Sequence, residues 1–200
     1  MDELIKINSL TGERKSIKIS ENILAFENRK LDLNEVKEIK YGLEPIRFYK
    51  FTVGRNFVIE LKNSEGEGDV VITIKYYFGV SKNYFLNVYS KILDEIWKYT
   101  GIRLFNEALD KIKVGNTVTV GPCTIFSNGI TFKNGFVNWE NLIYQKNYNR
   151  ITLTDKSNHN HWTNLYYLQT YNSDILIGIL DWIYKHDGLN ELKTIHNNLL

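Results

Sequence analysis

One cysteine and four histidines are the only thiol and imidazole groups in this 200-residue chain. Cys123 could act as a thiolate nucleophile, but it alternates with apolar positions and reads as a buried thiol, whose charged form burial disfavours. Being alone, it excludes an internal disulfide and any multi-cysteine metal site. His159 and His161 flank Asn160, a spacing that puts two imidazoles on one side of an extended segment. Zinc needs at least one further ligand, and the candidates His186 and His196 both fall in helical patterns. The run 156–161, rich in Asn and Ser, reads instead as a solvated hairpin turn. The chain carries no Gly-x-Ser-x-Gly elbow, no His-Glu-x-x-His, no phosphate loop ending in Gly-Lys-Ser/Thr and no Gly-x-Gly-x-x-Gly after a strand. No catalytic residue, metal ligand or cofactor is expected, and the chain reads as non-enzymatic.

Binding chemistry is what remains. Net charge is +2 and evenly spread, each half of the chain carrying a single excess cation. Nucleic acid rewards concentrated positive charge, so it is not an expected partner. Lys6, Arg14, Lys15 and Lys18 form a small anionic-ligand patch if residues 4–8 pair with 16–20 across Thr11-Gly12. Such a patch allows weak contact with a membrane surface. Trp182 stands where the first half of the chain has Glu95, on a helix flank, and reads as an anchor between domains or for a partner. Nine further or related rings (Tyr76, Tyr77, Trp97, Trp139, Trp162, Tyr166, Tyr167, Tyr171 and Trp182 itself) are too many to leave in water, and most are expected in the core.

Position for these residues comes from a duplication. Residues 20–37 match 126–143 without a gap at an offset of 106, with Leu24 on Ile130, Phe26 on Phe132, Leu33 on Trp139 and Val36 on Leu142. At an offset of 90, Tyr76-Tyr77-Phe78 falls on Tyr166-Tyr167-Leu168. At 87, residues 92–101 fall on 179–188, ending in Gly101 and Gly188. The order of blocks is kept. Period-two alternation marks strands around Ile17, Phe57–Leu61, Val70–Phe78, Cys123, Ile130 and Ile151, with Asn128-Gly129 and Asn134-Gly135 as tight turns and Gly66-Glu67-Gly68 as a hairpin loop. Each copy then ends in an amphipathic helix, with the stripe Phe85, Tyr89, Ile92, Ile96 in the first and Leu176, Ile179, Leu180, Ile183 in the second. The glycines are expected to break or kink each helix.

A chain of strands closed by one long helix, twice over, resembles the pleckstrin-homology-like fold. Gly115–Ile130 resembles the opening strands of the bacterial members, and 137–143, with Trp139-Glu140-Asn141-Leu142-Ile143, resembles a strand that carries their Trp. The resemblance implies an α+β, mainly β architecture of two tandem domains, each an antiparallel sheet of about six or seven strands closed by a C-terminal helix. Domains are expected at 1–101 and 114–200 with a helical connector at 102–113. Family members that bind phosphoinositides use a basic loop between their first two strands. The corresponding loops here are read as 20–22 and 126–129, and neither is basic. The resemblance therefore favours a tandem scaffold that binds protein or peptide on a sheet edge or helix flank, with membrane-surface binding through the Lys6–Lys18 patch as the alternative. With 43% hydrophobic residues, no apolar run near the ~18–20 residues of a membrane helix and no secretory signal, a cytoplasmic location is expected.

Overall fold

The computed structural model describes residues 3–8, 14–63, 69–78 and 82–198. The expected turns at Thr11-Gly12 and Gly66–Gly68 lie outside them. The described chain is mainly β, with antiparallel strands in four sheets, and divides between Arg103 and Leu104 into two compact units.

In the first unit, β1 (Glu3–Asn8), β2 (Arg14–Ser20), β3 (Ile23–Phe26) and β4 (Arg29–Asp32) form one meander, and β5 (Val36–Phe48), β6 (Phe51–Asn63) and β7 (Val70–Tyr77) a second. Helix α1 (Lys82–Ile96) follows, and its last residue leads into a π-helical turn, Trp97–Gly101. In the second unit the four-stranded meander is β8 (Val118–Val120), β9 (Cys123–Phe126), β10 (Gly129–Phe132) and β11 (Gly135–Asn138). The three-stranded one is β12 (Leu142–Lys146), β13 (Arg150–Asp155) and β14 (Trp162–Tyr166). Helices α3 (Ser173–Lys185) and α4 (Gly188–Asn198) follow. Helix α2 (Ile102–Lys113) spans the unit boundary, and from Leu104 onward it belongs to the second unit, where Leu104, Ala108, Leu109 and Ile112 are buried.

Alternation places the core. Ile17, Ile19, Leu24 and Phe26 face inward from β2 and β3, Phe57, Ile59 and Leu61 from β6, and Val70, Ile72, Ile74 and Tyr76 from β7. Helix α1 sets Phe85, Tyr89, Ile92 and Ile96 on one stripe, and α3 sets Leu176, Ile179, Leu180 and Ile183. Each such aliphatic side chain contributes about 1.5–3 kcal/mol relative to leaving it in water. The two units share their hairpins at an offset of 106: Glu21-Asn22 and Ser127-Asn128 turn one pair of strands, Glu27-Asn28 and Lys133-Asn134 the next. The left-handed residues of the last turn are Lys133 and Asn134 rather than Gly135. Gly135 opens β11, where its missing Cβ matters for a different reason given below.

Three expectations need correction. The segment 137–143 is not one strand: Trp139–Asn141 is a 3-10 turn that carries the chain from β11 to β12. The loops 20–22 and 126–129 join the second and third strands of their units, so they are not the first-strand loops they were matched to. The offset of 90 also fails. Leu61 pairs with Val70 and Ile59 with Ile72, while Leu153 pairs with Thr163 and Ile151 with Leu165. Leu165 therefore takes the place of Ile72, and a match of Tyr76 with Tyr166 would put an inward ring on an outward position, since an odd slip exchanges the faces of a strand. Of the nine rings, Tyr76 and Trp139 are buried, whereas Tyr77 and Trp162 are exposed; the others are half-buried, their polar ends reaching bonding partners or water.

Each unit has the same structural problem where the chain crosses from the four-stranded to the three-stranded sheet. Backbone carbonyls at the crossing need donors from outside the ladders. In the first unit the Thr100 hydroxyl donates to the Leu33 carbonyl at 2.9 Å, and the Arg103 guanidinium donates to the Val36 carbonyl. In the second, the Tyr184 hydroxyl places its one proton between the carbonyls of Trp139 and Leu142, the latter at 3.2 Å. Trp139 and Leu142 are the residues that match Leu33 and Val36 at the offset of 106. Both units thus fasten their helix to the same two carbonyls, with different donors.

Thr100→Val and Tyr184→Phe each leave a carbonyl at the crossing without its donor. Each is expected to lower the urea-unfolding free energy by about 1–3 kcal/mol, whereas Tyr49→Phe, on a side chain 89% exposed, is expected to change it by no more than about 0.5 kcal/mol.

Candidate functional site

The second unit holds a cleft of about 350 Å³, lined by Ser127, Asn128, Asn138, Trp139, Glu140, Leu189, Leu192 and Lys193. Local chemistry fixes each wall. Asn138 is extended, and its side-chain oxygen accepts from the Asn141 amide at 3.0 Å, which caps the 3-10 turn. The Trp139 indole is buried and donates to the Ser127 carbonyl at 2.9 Å, tying that turn to the β9–β10 hairpin. The third wall is α4. Asp187 takes a left-handed φ of +62°, ending α3, and Gly188 restarts the chain as a helix. A side chain at Gly188 would meet the Trp182 ring at 2.6 Å, so only glycine lets α4 begin there.

The floor is apolar, formed by Trp139, the buried Leu192 and the half-buried Leu189. Above it Lys193 Nζ meets Glu140 Oε1 at 2.6 Å, two exposed groups joined across 53 positions of sequence. The Lys193 hydrogen bond and charge hold the Glu140 carboxyl below its ordinary pKa. An apolar floor, neutral amides and one self-neutralising ion pair can accept a small apolar side chain together with main-chain polar groups.

The residues singled out from sequence lie elsewhere. In the β1–β2 ladder Leu4 pairs with Lys18, Lys6 with Ser16 and Asn8 with Arg14, two residues away from the expected register. Lys6, Arg14 and Lys18 share one parity of that ladder. Lys15 has the other, and its ammonium meets Glu27 Oε1 at 2.7 Å, 5.8 Å from the centre of the Phe26 ring. The register therefore sets Lys15 on the opposite face of the ladder from the other three positions. Trp182 is half-buried between Gly188 and the ammonium of Lys113, which lies 5.1 Å from its ring centre. Cys123 is buried, and desolvation pushes its pKa up to about 12.

His161 departs from the solvated turn expected of it. Its Nε2–H donates to the Phe132 carbonyl at 2.9 Å, its ring stacks on Phe132 with centroids 4.5 Å apart, and Nδ1 lies 3.7 Å from Asp155 Oδ2. A Cβ on Gly135 would come within 2.4 Å of this ring, so the glycine makes room for it. His159 is exposed. Among the described residues no group of three or more His, Cys, Asp or Glu side chains is placed to hold a metal ion, and no helix is long and apolar enough to cross a membrane.

A second polar cluster braces α3 against β12. Asp181 accepts from the Tyr144 hydroxyl at 2.7 Å, from Lys185 at 2.9 Å and from Lys146. Burial pushes the Asp181 carboxyl up, but the bonds from Lys146, Lys185 and Tyr144 outweigh it and hold the group well below the carboxylate range. Burial, then Asp181, raises the Tyr144 hydroxyl to about 12. Asp155 is also lowered, chiefly by the Ser157 hydroxyl and amide, with His161 adding to them against desolvation.

Compared with protein-family models, with curated proteins and with solved structures, the chain finds no match.

The pH dependence of stability follows from the two lowered aspartates. Each contributes fully above its unfolded pKa of about 3.9 and loses that contribution as pH falls through its lower folded value. Thermal melts are therefore expected to drop as pH falls below about 4, less steeply in Asp181→Asn. A pH-independent difference between the two proteins would contradict this. Cys123 is expected to resist alkylation at pH 8 in the folded protein and to react fully in denaturant.

Proposed function

We propose that the chain is a non-enzymatic interaction module, two tandem pleckstrin-homology-like domains of which the second binds a short segment of protein or peptide. Support for the domain reading is the repeated order of four-stranded meander, three-stranded meander and helix, with the helix fastened to matching carbonyls in both units. The observation that carries the binding reading is the cleft between the Trp139 turn and α4. Its titratable pair, Glu140 and Lys193, is engaged with itself, and its floor is Trp139, Leu189 and Leu192, a surface suited to an apolar anchor rather than to proton transfer. The partner supplies one aliphatic or aromatic side chain to that floor. Asn128 and Asn138 take its main-chain polar groups.

A second reading, contact with an anionic membrane surface through the first hairpin, keeps Lys6, Arg14 and Lys18, which the register gives a common parity, and loses Lys15 to Glu27.

Selection of displayed peptides on the full chain tests the first reading. Enriched peptides are expected to share an apolar anchor and to bind Leu189→Arg at least about tenfold more weakly, a loss near 1.4 kcal/mol, at unchanged melting temperature. Peptides that bind Leu189→Arg as well as the unaltered chain would place the site elsewhere. Failure to enrich any peptide would contradict the peptide reading itself.

A further inference from the structure

The first unit presents an aromatic and cationic prominence unrelated to the cleft. Strands β5 and β6 pair to their ends, Phe48 opposite Phe51, with Tyr49-Lys50 as the turn. Strand β7 stops opposite Gly54, so the last rungs of the hairpin have β5 and β6 alone. Phe48 is 66% exposed, Tyr49 89% and Phe51 73%. Two-residue turns ordinarily use Asn or Gly where φ is positive, yet here Tyr49 takes φ +55°. Beside this tip, Phe78 donates its amide to the Val53 carbonyl at 2.9 Å, and Tyr77 and Phe78 are exposed in turn. Five exposed rings thus share one end of one sheet.

Charge at that end is mostly positive. Arg47, Lys50, Arg55 and Lys75 stand against one carboxylate, the exposed Glu44, which shares a rung with Asn56 and Lys75, in a chain whose charges otherwise nearly cancel. Arg47, Lys50 and Lys75 are exposed, and the Arg55 guanidinium lies 6.0 Å from the centre of the Phe78 ring.

We infer that this hairpin end is a docking surface for an anionic lipid bilayer. Aromatic rings settle at the boundary between headgroup and acyl chain, where their apolar faces leave water and their edges remain near polar groups. Cations beside them meet lipid phosphates and carboxylates, each adding about fivefold to binding near an anionic surface. The tip is a two-stranded turn with its rings exposed, so it can enter a fluid interface without a preformed pocket. A bilayer satisfies rings and cations together. This surface is distinct from both the Lys6–Lys18 hairpin and the second-unit cleft, and stands whether or not either binds.

Co-sedimentation of the full chain with phosphatidylcholine vesicles, with and without 30% phosphatidylserine, at 50 mM and 300 mM salt, tests the inference. Binding is expected to the anionic vesicles at low salt, to fall at high salt as the Debye length shrinks, and to weaken at least about tenfold in Phe48→Ser/Phe51→Ser and about fivefold or more in Lys50→Glu, while Lys156→Glu, on an exposed residue outside every described site, binds as the unaltered chain does. Thermal melts of each variant establish that it is folded. Phe51→Trp gives an independent reading, because its emission should shift to shorter wavelength on anionic vesicles and be quenched by brominated acyl chains. No binding at low salt, equal binding to neutral vesicles, binding that depends on Lys18 rather than the tip, or an unshifted Phe51→Trp emission would each overturn it. Recovery of an acidic protein on the tip in the absence of vesicle binding would also overturn it.

Discussion

Each unit fastens its helical segment to two backbone carbonyls at the crossing between its sheets. A meander satisfies its own main chain by pairing neighbour with neighbour, but the crossing has no neighbouring strand to pair with. The helical segment that follows the sheets adds donors there: Thr100 and Arg103 in one unit, and in the other Tyr184, which reaches the Leu142 carbonyl and joins the Leu142 amide already bonded to the Trp139 carbonyl. Once fastened there, the helix must present its apolar stripe to the sheets, and Ile92 and Ile96, or Ile179 and Ile183, are buried as a result. Aromatic side chains reinforce the same junction: Trp97 donates to the Tyr41 hydroxyl at 3.2 Å, and Tyr184 stacks on Tyr144 with centroids 5.6 Å apart.

Beyond that junction the two units differ at Gly101 and Gly188. Gly101 lies inside a π turn, where a Cβ would meet the Trp97 ring at 1.8 Å, and the chain continues as helix. Gly188 follows a left-handed Asp187 and begins a separate helix, α4. The cleft exists because of that break, since Leu189, Leu192 and Lys193 reach the Trp139 turn from the restarted helix. The second unit thus carries a cleft, and the first an exposed aromatic hairpin.

Period-two and helical alternation were legible in the sequence because burial writes them there: Phe57-x-Ile59-x-Leu61 and the stripe through Ile92 and Ile96 are direct consequences of one-sided contact with a core. The β5–β6 hairpin was not legible, because Tyr49-Lys50 is no turn signal and the strand ends carry no buried face to mark alternation. The register of β14 was misread because two tyrosines in a row match either phase. His161 looked like part of a solvated loop, since the sequence around it is polar and its partners, Phe132 and Gly135, are more than twenty residues away. Nothing local announced the cleft: the Glu140–Lys193 pair joins a turn to a helix 53 residues later.

Native-state hydrogen exchange on the full chain measures the dependence of the sheets on the helices directly. If each helix holds its two sheets together, amides of residues 92–96 should exchange with the same opening free energy as those of β3 and β6, and amides of 179–183 with the same free energy as β10 and β13. Helix amides that exchange through a much lower-energy opening while the strands stay protected would show that the sheets stand without the helix, and that the bonds to the crossing carbonyls are not what the units depend on.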